Sequence, residues 1–191
     1  ARFHPWCRQL SPTFDQVGGT YSGDARQTKV QNPIAGFAAM MTKMDDDVGA
    51  LLALLAELTI DENTIVMLSS DNGPHLEGGH RPKFWNSNGP FQGHKRSLYD
   101  GGIRVPMIAR WPGQIAEGSV TSHISAHWDL FPTICELAHL PQPKNIDGIS
   151  MVATLTGGTD QQEHEYLYWE FYEAGGKRAL RMGKWKAVRN N

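Results

Sequence analysis

The chain has 191 residues, 40% of them hydrophobic and 20% charged, with a formal net charge of −2: ordinary globular usage and enough length for one sizeable core. Its Lys and Arg residues are spread out rather than gathered, so there is no electrostatic case for nucleic acid or an anionic membrane surface as partner. Two cysteines, Cys7 and Cys135, are too few and too far apart for a disulfide framework, and no apolar run reaches the length of a transmembrane segment.

Residues 1–32 carry Pro5, Pro12, Gly18, Gly19 and Gly23 among polar residues without sustained periodicity, and predict a long loop or surface excursion. The amino end, Ala1-Arg2-Phe3-His4-Pro5-Trp6, holds no signal-peptide core, and the true amino terminus is expected upstream of it. Asn32-Pro33 then has the form of a helix start, with Asn as cap and Pro in the first turn. Phe37, Met40, Met41, Met44, Val48, Leu51, Leu52, Leu55 and Leu58 recur at steps of three and four and make one apolar face, which predicts a long helix packed on a sheet. Asp45-Asp46-Asp47 lies on the other side of that helix and predicts a solvated surface.

Ile65-Val66-Met67-Leu68 is continuously apolar and predicts a strand buried on both faces, as in a parallel sheet. Ser69-Ser70-Asp71-Asn72-Gly73-Pro74 follows, setting Asp71 and Asn72 at the strand's carboxyl end, the edge where α/β sheets bind ligands. A carboxylate and an amide carbonyl are hard ligands suited to Ca²⁺ or Mg²⁺, although Asp-Asn-Gly is also ordinary turn chemistry. His75, His80 and His94 crowd the next stretch, but their spacing fits no zinc motif; a polar loop beside the site is the expectation. Lys95 sits in a loop framed by Gly93, Gly101 and Gly102, and a lysine so held beside a cation makes a site for a small, multiply charged oxyanion.

Residues 103–111 resume a strand-like run ending at Pro112. A second amphipathic helix is predicted over residues 129–140, its apolar face made of Leu130, Phe131, Ile134, Leu137 and Ala138 with Pro132 in the first turn. Residues 147–159 read as connecting structure. Residues 166–172, 179–182 and 185–188 alternate or are aromatic-rich around Gly175-Gly176 and Gly183-Lys184, and predict an antiparallel hairpin or meander.

The stretch from Thr64 to His75, the Asn86-Ser87-Asn88-Gly89-Pro90 loop, Lys95 and Tyr99-Asp100-Gly101-Gly102-Ile103-Arg104-Val105-Pro106 resemble the carboxyl-terminal part of a type I sulfatase (arylsulfatase) of the alkaline-phosphatase-like superfamily. The resemblance runs over residues 35–188. It implies an α/β fold, a partial sheet-and-helix sandwich over residues 1–160, followed from 161 to 191 by the start of a small antiparallel subdomain. It also implies a sulfuric ester hydrolase acting on a sulfated small molecule or carbohydrate, with Ca²⁺ or Mg²⁺ as cofactor and a formylglycine nucleophile. Asp71 and Asn72 match the family's second metal pair, Lys95 the lysine that bridges sulfate and leaving oxygen, and His4 is the one candidate for a substrate-binding histidine. A periplasmic, secreted or lysosomal location is the family expectation. Asp45-Asp46-Asp47 does not match the family's first aspartate pair, which follows a strand rather than lying within a helix.

One departure is large. No Cys-x-Pro-x-Arg or Ser-x-Pro-x-Arg motif occurs in the 191 residues, so neither Cys7 nor Cys135 meets the rule for formylglycine, and these residues alone are expected to be inactive. A phosphoester or phosphonate hydrolase of the same superfamily, and a non-catalytic truncated module, are the alternatives.

Overall fold

The computed structural model describes residues 33–76 and 80–190. These form two compact units, one from residues 33–59 and 70–106, the other from residues 60–69 and 107–190.

The first unit is led by α1, Pro33–Glu57, a 25-residue helix. Its opening proline suits the first turn, whose N–H groups have no intrahelical partner in any case; Asn32, the expected cap, lies outside the described residues. Ala35 and Gly36 are buried, and the Phe37 ring packs against His80 and Trp85 with centroids 4.2 and 5.9 Å away. Beyond that turn the apolar stripe is partly open: Met40, Met41, Met44, Leu51, Leu54 and Leu58 are exposed, and Val48, Leu52 and Leu55 are half-buried. Asp45-Asp46-Asp47 is exposed as expected, and Lys43 pairs with Asp47 one turn away. Two short helices, α2 (Pro82–Trp85) and α3 (Asp100–Ile103), flank the loop that carries Lys95.

In the second unit β1, Val66–Ser69, pairs antiparallel with β2, Met107–Arg110, with Val66 opposite Arg110 and Ser69 opposite Met107. This corrects the parallel, doubly buried strand expected from the apolar run. Continuous hydrophobicity encodes burial but not the direction of the neighbouring strand, and a two-stranded ladder leaves side chains such as Leu68 and Ile108 exposed. Behind it, the Trp111 indole N–H donates to the Glu62 carbonyl at 2.8 Å and Arg110 meets Asp61 at 3.5 Å, tying the ladder to the single turn Asp61–Asn63.

Helix α4, Leu130–Leu137, buries Pro132, Thr133 and Cys135 and exposes Phe131 and Ile134, the reverse of the face expected from periodicity. The reason is polar. Asp129, fully buried, accepts the Ala126 N–H at 2.7 Å, the Ile149 N–H at 2.9 Å and the His164 Nε2–H at 2.9 Å. Thr133, also fully buried, donates its hydroxyl to the Asp129 carbonyl at 2.6 Å and accepts the Met151 N–H at 2.9 Å. A buried carboxylate must be met by donors, and gathering them turns α4 so that Thr133 faces inward. The connecting residues include a short helix, α5 (Val152–Thr156).

The chain then runs as a meander, β3 (Leu167–Phe171), β4 (Lys177–Met182) and β5 (Trp185–Asn190), in the order β3-β4-β5 with both pairings antiparallel. Leu167 and Ala179 are buried on one face; Glu170, Arg178 and Arg189 stand on the other.

Removing the Asp129 carboxylate strands three donors from three chain segments. Asp129→Ala in the intact protein is expected to lower the local opening free energy by about 3–5 kcal/mol, the usual cost of breaking a buried charged network. Amide exchange at Ala126, Ile149 and Met151 is the measurement; unchanged protection would show that the network holds nothing.

Candidate active site

Past β1 the chain turns at once. The Ser70 hydroxyl donates to the Asn72 carbonyl at 2.9 Å, and residues 71–73 bend. The Asn72 amide nitrogen donates to the Asp71 carboxylate, so the two heads reach each other. The amide oxygen, Asn72 Oδ1, is buried and has no hydrogen-bond donor among the described residues.

That bend is bonded through the backbone to the Lys95 loop. Gly73 N–H donates to the Gly102 carbonyl at 2.8 Å, and Lys95 N–H donates to the Pro74 carbonyl at 2.9 Å. The approach is too close for side chains: a Cβ on Gly73 would lie 1.9 Å from the Gly101 oxygen, and one on Gly102 would lie 2.1 Å from the Ser97 oxygen. Gly101 N–H in turn donates to the Gln92 carbonyl at 2.7 Å, closing the loop on itself.

The loop's curl comes from two residues with left-handed backbone, Gly93 at φ 93° and Arg96 at φ 70°. A non-glycine residue there costs of order 1–3 kcal/mol and persists only where neighbouring contacts over-determine it. Asn88 supplies such contacts, its amide donating to the carbonyls of Phe91 at 2.7 Å and Gly93 at 2.9 Å. Its pinning role is visible only in three dimensions, although it lies within the Asn-Gly-Pro stretch quoted above. His94, exposed, donates its Nδ1–H to the Lys95 carbonyl at 2.9 Å. Lys95 itself is half-buried.

Three of the expected site residues, Asp71, Asn72 and Lys95, therefore belong to one bonded backbone cluster. His4 lies outside the described residues. His75 and His80 stand together, ring centroids 5.1 Å apart, with His80 buried against Phe37. Among the described residues no group of three His, Cys, Asp or Glu side chains converges to hold a metal, so the three histidines share no centre. Burial, and then the neighbouring His75, hold the His80 imidazole below its ordinary pKa.

The Asp71–Asn72 pair fits a hard cation in donor type. Its possible ligand atoms are oxygens, one of them a buried carbonyl that no donor among the described residues satisfies, and the amide needs one rotation about its terminal bond to turn that oxygen toward the carboxylate.

A sequence-family model described as Sulfatase matches residues 4–140. The steryl-sulfatase of Rattus norvegicus is 40% identical over 130 residues, covering 66% of this chain and 22% of the relative. The N-acetylgalactosamine-6-sulfatase of the same species is 38% identical over 147 residues, covering 76% and 27%. Among solved structures, Ps i-CgsB in complex with k-i-k-neocarrahexaose superposes with a TM-score of 0.70 at 30% identity, over 82% of this chain and 34% of that one. BT4656 in complex with D-glucosamine-2-N,6-O-disulfate superposes with a TM-score of 0.65 at 28% identity, over 81% and 31%. The chain spans about a quarter of the length of the curated relatives it matches. The α/β, alkaline-phosphatase-like fold class stands on these neighbours.

Two outcomes follow. Gly73→Ala must push the bend away from Gly101, and is expected to raise local opening at residues 73, 95 and 101 by about 1–3 kcal/mol; hydrogen exchange there checks it, and wild-type protection would contradict the close approach. For His80, the depressed folded-state pKa means that the unfolded chain binds more protons just below pH ~6.5. Stability from this group is therefore complete above that pH and is lost as pH falls through the folded-state value. His80→Phe, which keeps a ring against Phe37, is expected to flatten the melting temperature between pH 7 and 5; an unchanged slope would assign the dependence elsewhere.

Proposed function

This chain belongs to the sulfatase family, and from that premise we propose that the protein carrying it is a sulfuric ester hydrolase that releases inorganic sulfate, with Asp71, Asn72 and Lys95 as the chain's contribution to the active site. The observation that carries the residue assignment is the pair of backbone hydrogen bonds, Gly73 to Gly102 and Lys95 to Pro74, that join the Asp-Asn bend to the lysine loop.

In this reading Asp71 and Asn72 hold a divalent cation, Ca²⁺ or Mg²⁺, whose remaining ligands come from outside these residues, since two side chains fall well short of the six to eight oxygens that Ca²⁺ takes. When bound, the cation polarises the sulfate oxygens. Lys95 acts as a compact positive charge against a sulfate oxygen and the departing ester oxygen, where negative charge grows in the transition state. The Lys95 N–H bonded to the Pro74 carbonyl and the Lys95 carbonyl bonded to the His94 imidazole fix the main chain from which that charge projects, so the loop is shaped before substrate arrives.

The nucleophile expected of the family, formylglycine, has no source motif among the 191 residues, and Cys135 is buried. The attacking group is therefore assigned to another part of the protein. His4, at the start of the region that matches the family, is kept as a substrate-binding proposal on that ground alone. Residues 161–191 are proposed as the start of a small carboxyl-terminal antiparallel subdomain, a reading that the β3-β4-β5 meander supports.

For substrate we propose a sulfated carbohydrate. N-acetylgalactosamine-6-sulfatase is named for one, and two of the similar structures hold sugars, one of them glucosamine disulfate. No helix among the described residues is long and apolar enough to cross a membrane. A periplasmic, secreted or lysosomal setting is the family-based proposal for location.

In the intact protein, Lys95→Ala is expected to lower kcat on an aryl sulfate by at least 10²-fold, a loss of about 2.7 kcal/mol of transition-state stabilisation, with little change in melting temperature. Lys95→Arg should remain impaired, because a planar guanidinium does not reproduce a point charge. Asn72→Ala should instead raise the Ca²⁺ concentration needed for half-maximal activity. Unchanged turnover in Lys95→Ala would remove that residue from the site.

A further inference from the structure

The outer face of the β3-β4-β5 meander carries a charge arrangement that the sulfate-cleaving site does not use. Antiparallel register puts Glu170 opposite Arg178 and Arg178 opposite Arg189, one carboxylate and two guanidinium groups in a single row across three strands. Arg178 pairs with Glu170 at 2.9 Å. The same carboxylate also accepts hydrogen bonds from the hydroxyls of Tyr168 and Tyr172, its strand neighbours two residues away on either side. Those hydroxyls, and then Arg178, hold Glu170 below the ordinary carboxylate pKa. Glu170 is thus fully committed.

Arg189 has no ion-pair partner among the described residues and faces a like charge across the ladder. Like charges directly opposite on neighbouring strands destabilise a sheet, and Glu170, the carboxylate beside this pair, is bonded to Arg178 rather than to Arg189. The row borders a cavity of about 190 Å³ lined by Glu170, Tyr172, Gly175, Gly176, Lys177, Arg178 and Arg189. Gly175 and Gly176, at φ 90° and 85°, turn the β3–β4 connection around its rim. Across the lining, three cations stand against one anion. Tyr172 is 80% exposed, a large ring left facing solvent at the edge.

We infer that this cavity is a second anion-binding site, which takes a sulfate group of a sulfated oligosaccharide between Arg178 and Arg189 while the Tyr172 ring stacks on the adjoining sugar. Guanidinium forks match the paired oxygens of a sulfate, and an aromatic ring with a polar tip suits a half-apolar, half-wet surface such as a pyranose face. The choice of a saccharide rests on the hydrolase reading above; the anion site rests on the charge row alone.

The test uses the intact protein and fluorescently labelled chondroitin 6-sulfate hexasaccharide, with its desulfated counterpart, inorganic sulfate and an aryl sulfate as further probes. For the Arg178→Ala/Arg189→Ala protein, Kd for the sulfated hexasaccharide is expected to rise about tenfold or more, the loss of about 1.4 kcal/mol, while aryl sulfate turnover stays unchanged. Arg189→Glu ends the like-charge pair, so it should hold or raise the melting temperature and still weaken binding, which separates recognition from folding. The desulfated hexasaccharide should bind the wild type and the double variant equally weakly. Unchanged Kd for the sulfated hexasaccharide in either folded variant would overturn the site, and so would equal losses for both hexasaccharides. Inorganic sulfate binding as tightly as the sulfated hexasaccharide, with the same dependence on Arg189, would overturn the saccharide assignment. Absence of aryl sulfate turnover in the wild type would instead count against the hydrolase reading and leave the binding result legible.

Discussion

Gly73 lies so close to the peptide units of Gly101 and Gly102 that a single methyl group would not fit, and the candidate site depends on that contact. Two chain segments that diverge in sequence by more than twenty residues are bonded there through main-chain groups, Gly73 to Gly102 and Lys95 to Pro74. Each such bond contributes only about 0.5–1.5 kcal/mol net. Their value is positional. Side-chain rotamers at Asp71, Asn72 and Lys95 can relax, but the backbone from which they spring cannot drift apart without breaking those bonds. Left-handed geometry at Gly93 and Arg96 curls the loop for that approach, and the Asn88 amide, bonded to the Phe91 and Gly93 carbonyls, pins its first half.

A different device organises the other unit. There, buried Asp129 gathers N–H groups from residues 126, 149 and 164, and buried Thr133 adds residue 151, so that a short helix, a long connection and the approach to the meander converge on two side chains. Burying a carboxylate is costly unless every donor arrives, and this makes the arrangement specific: a shifted α4 would strand the charge. By contrast α1 shows what remains when apolar surface lacks a cover. Met40, Met41, Met44, Leu51, Leu54 and Leu58 are exposed, while Val48, Leu52 and Leu55 are half-buried.

Much of this was legible from residue order, and the failures have physical causes. The Asp-Asn-Gly-Pro bend, the lysine within its glycine frame, the long α1 and the closing meander all follow from local chemistry: turn residues, periodicity of three to four, alternation of two. Strand direction and burial at β1 were not legible, because four apolar residues say nothing about which way a neighbour runs or how many neighbours cover the strand. The face of α4 was misjudged because hydrophobic periodicity pointed to Phe131 and Ile134, whereas the deciding groups were a carboxylate and a hydroxyl whose partners lie up to 35 residues away. Asn88 and the Arg178–Arg189 pair escaped for a related reason. Their meaning resides in loop closure and cross-strand register, which no single segment displays.

The central claim is that the Asp71–Asn72 bend and the Lys95 loop form one preorganised half of a cation and sulfate site. A crystal structure of the intact protein with Ca²⁺ and inorganic sulfate tests it most directly. The account predicts a cation about 2.3–2.6 Å from an Asp71 carboxylate oxygen and from Asn72 Oδ1, the amide turned oxygen-first, with the Lys95 ammonium in contact with the sulfate. A cation held elsewhere, or Asn72 still presenting its nitrogen to Asp71 while the sulfate sits beyond the reach of Lys95, would contradict it.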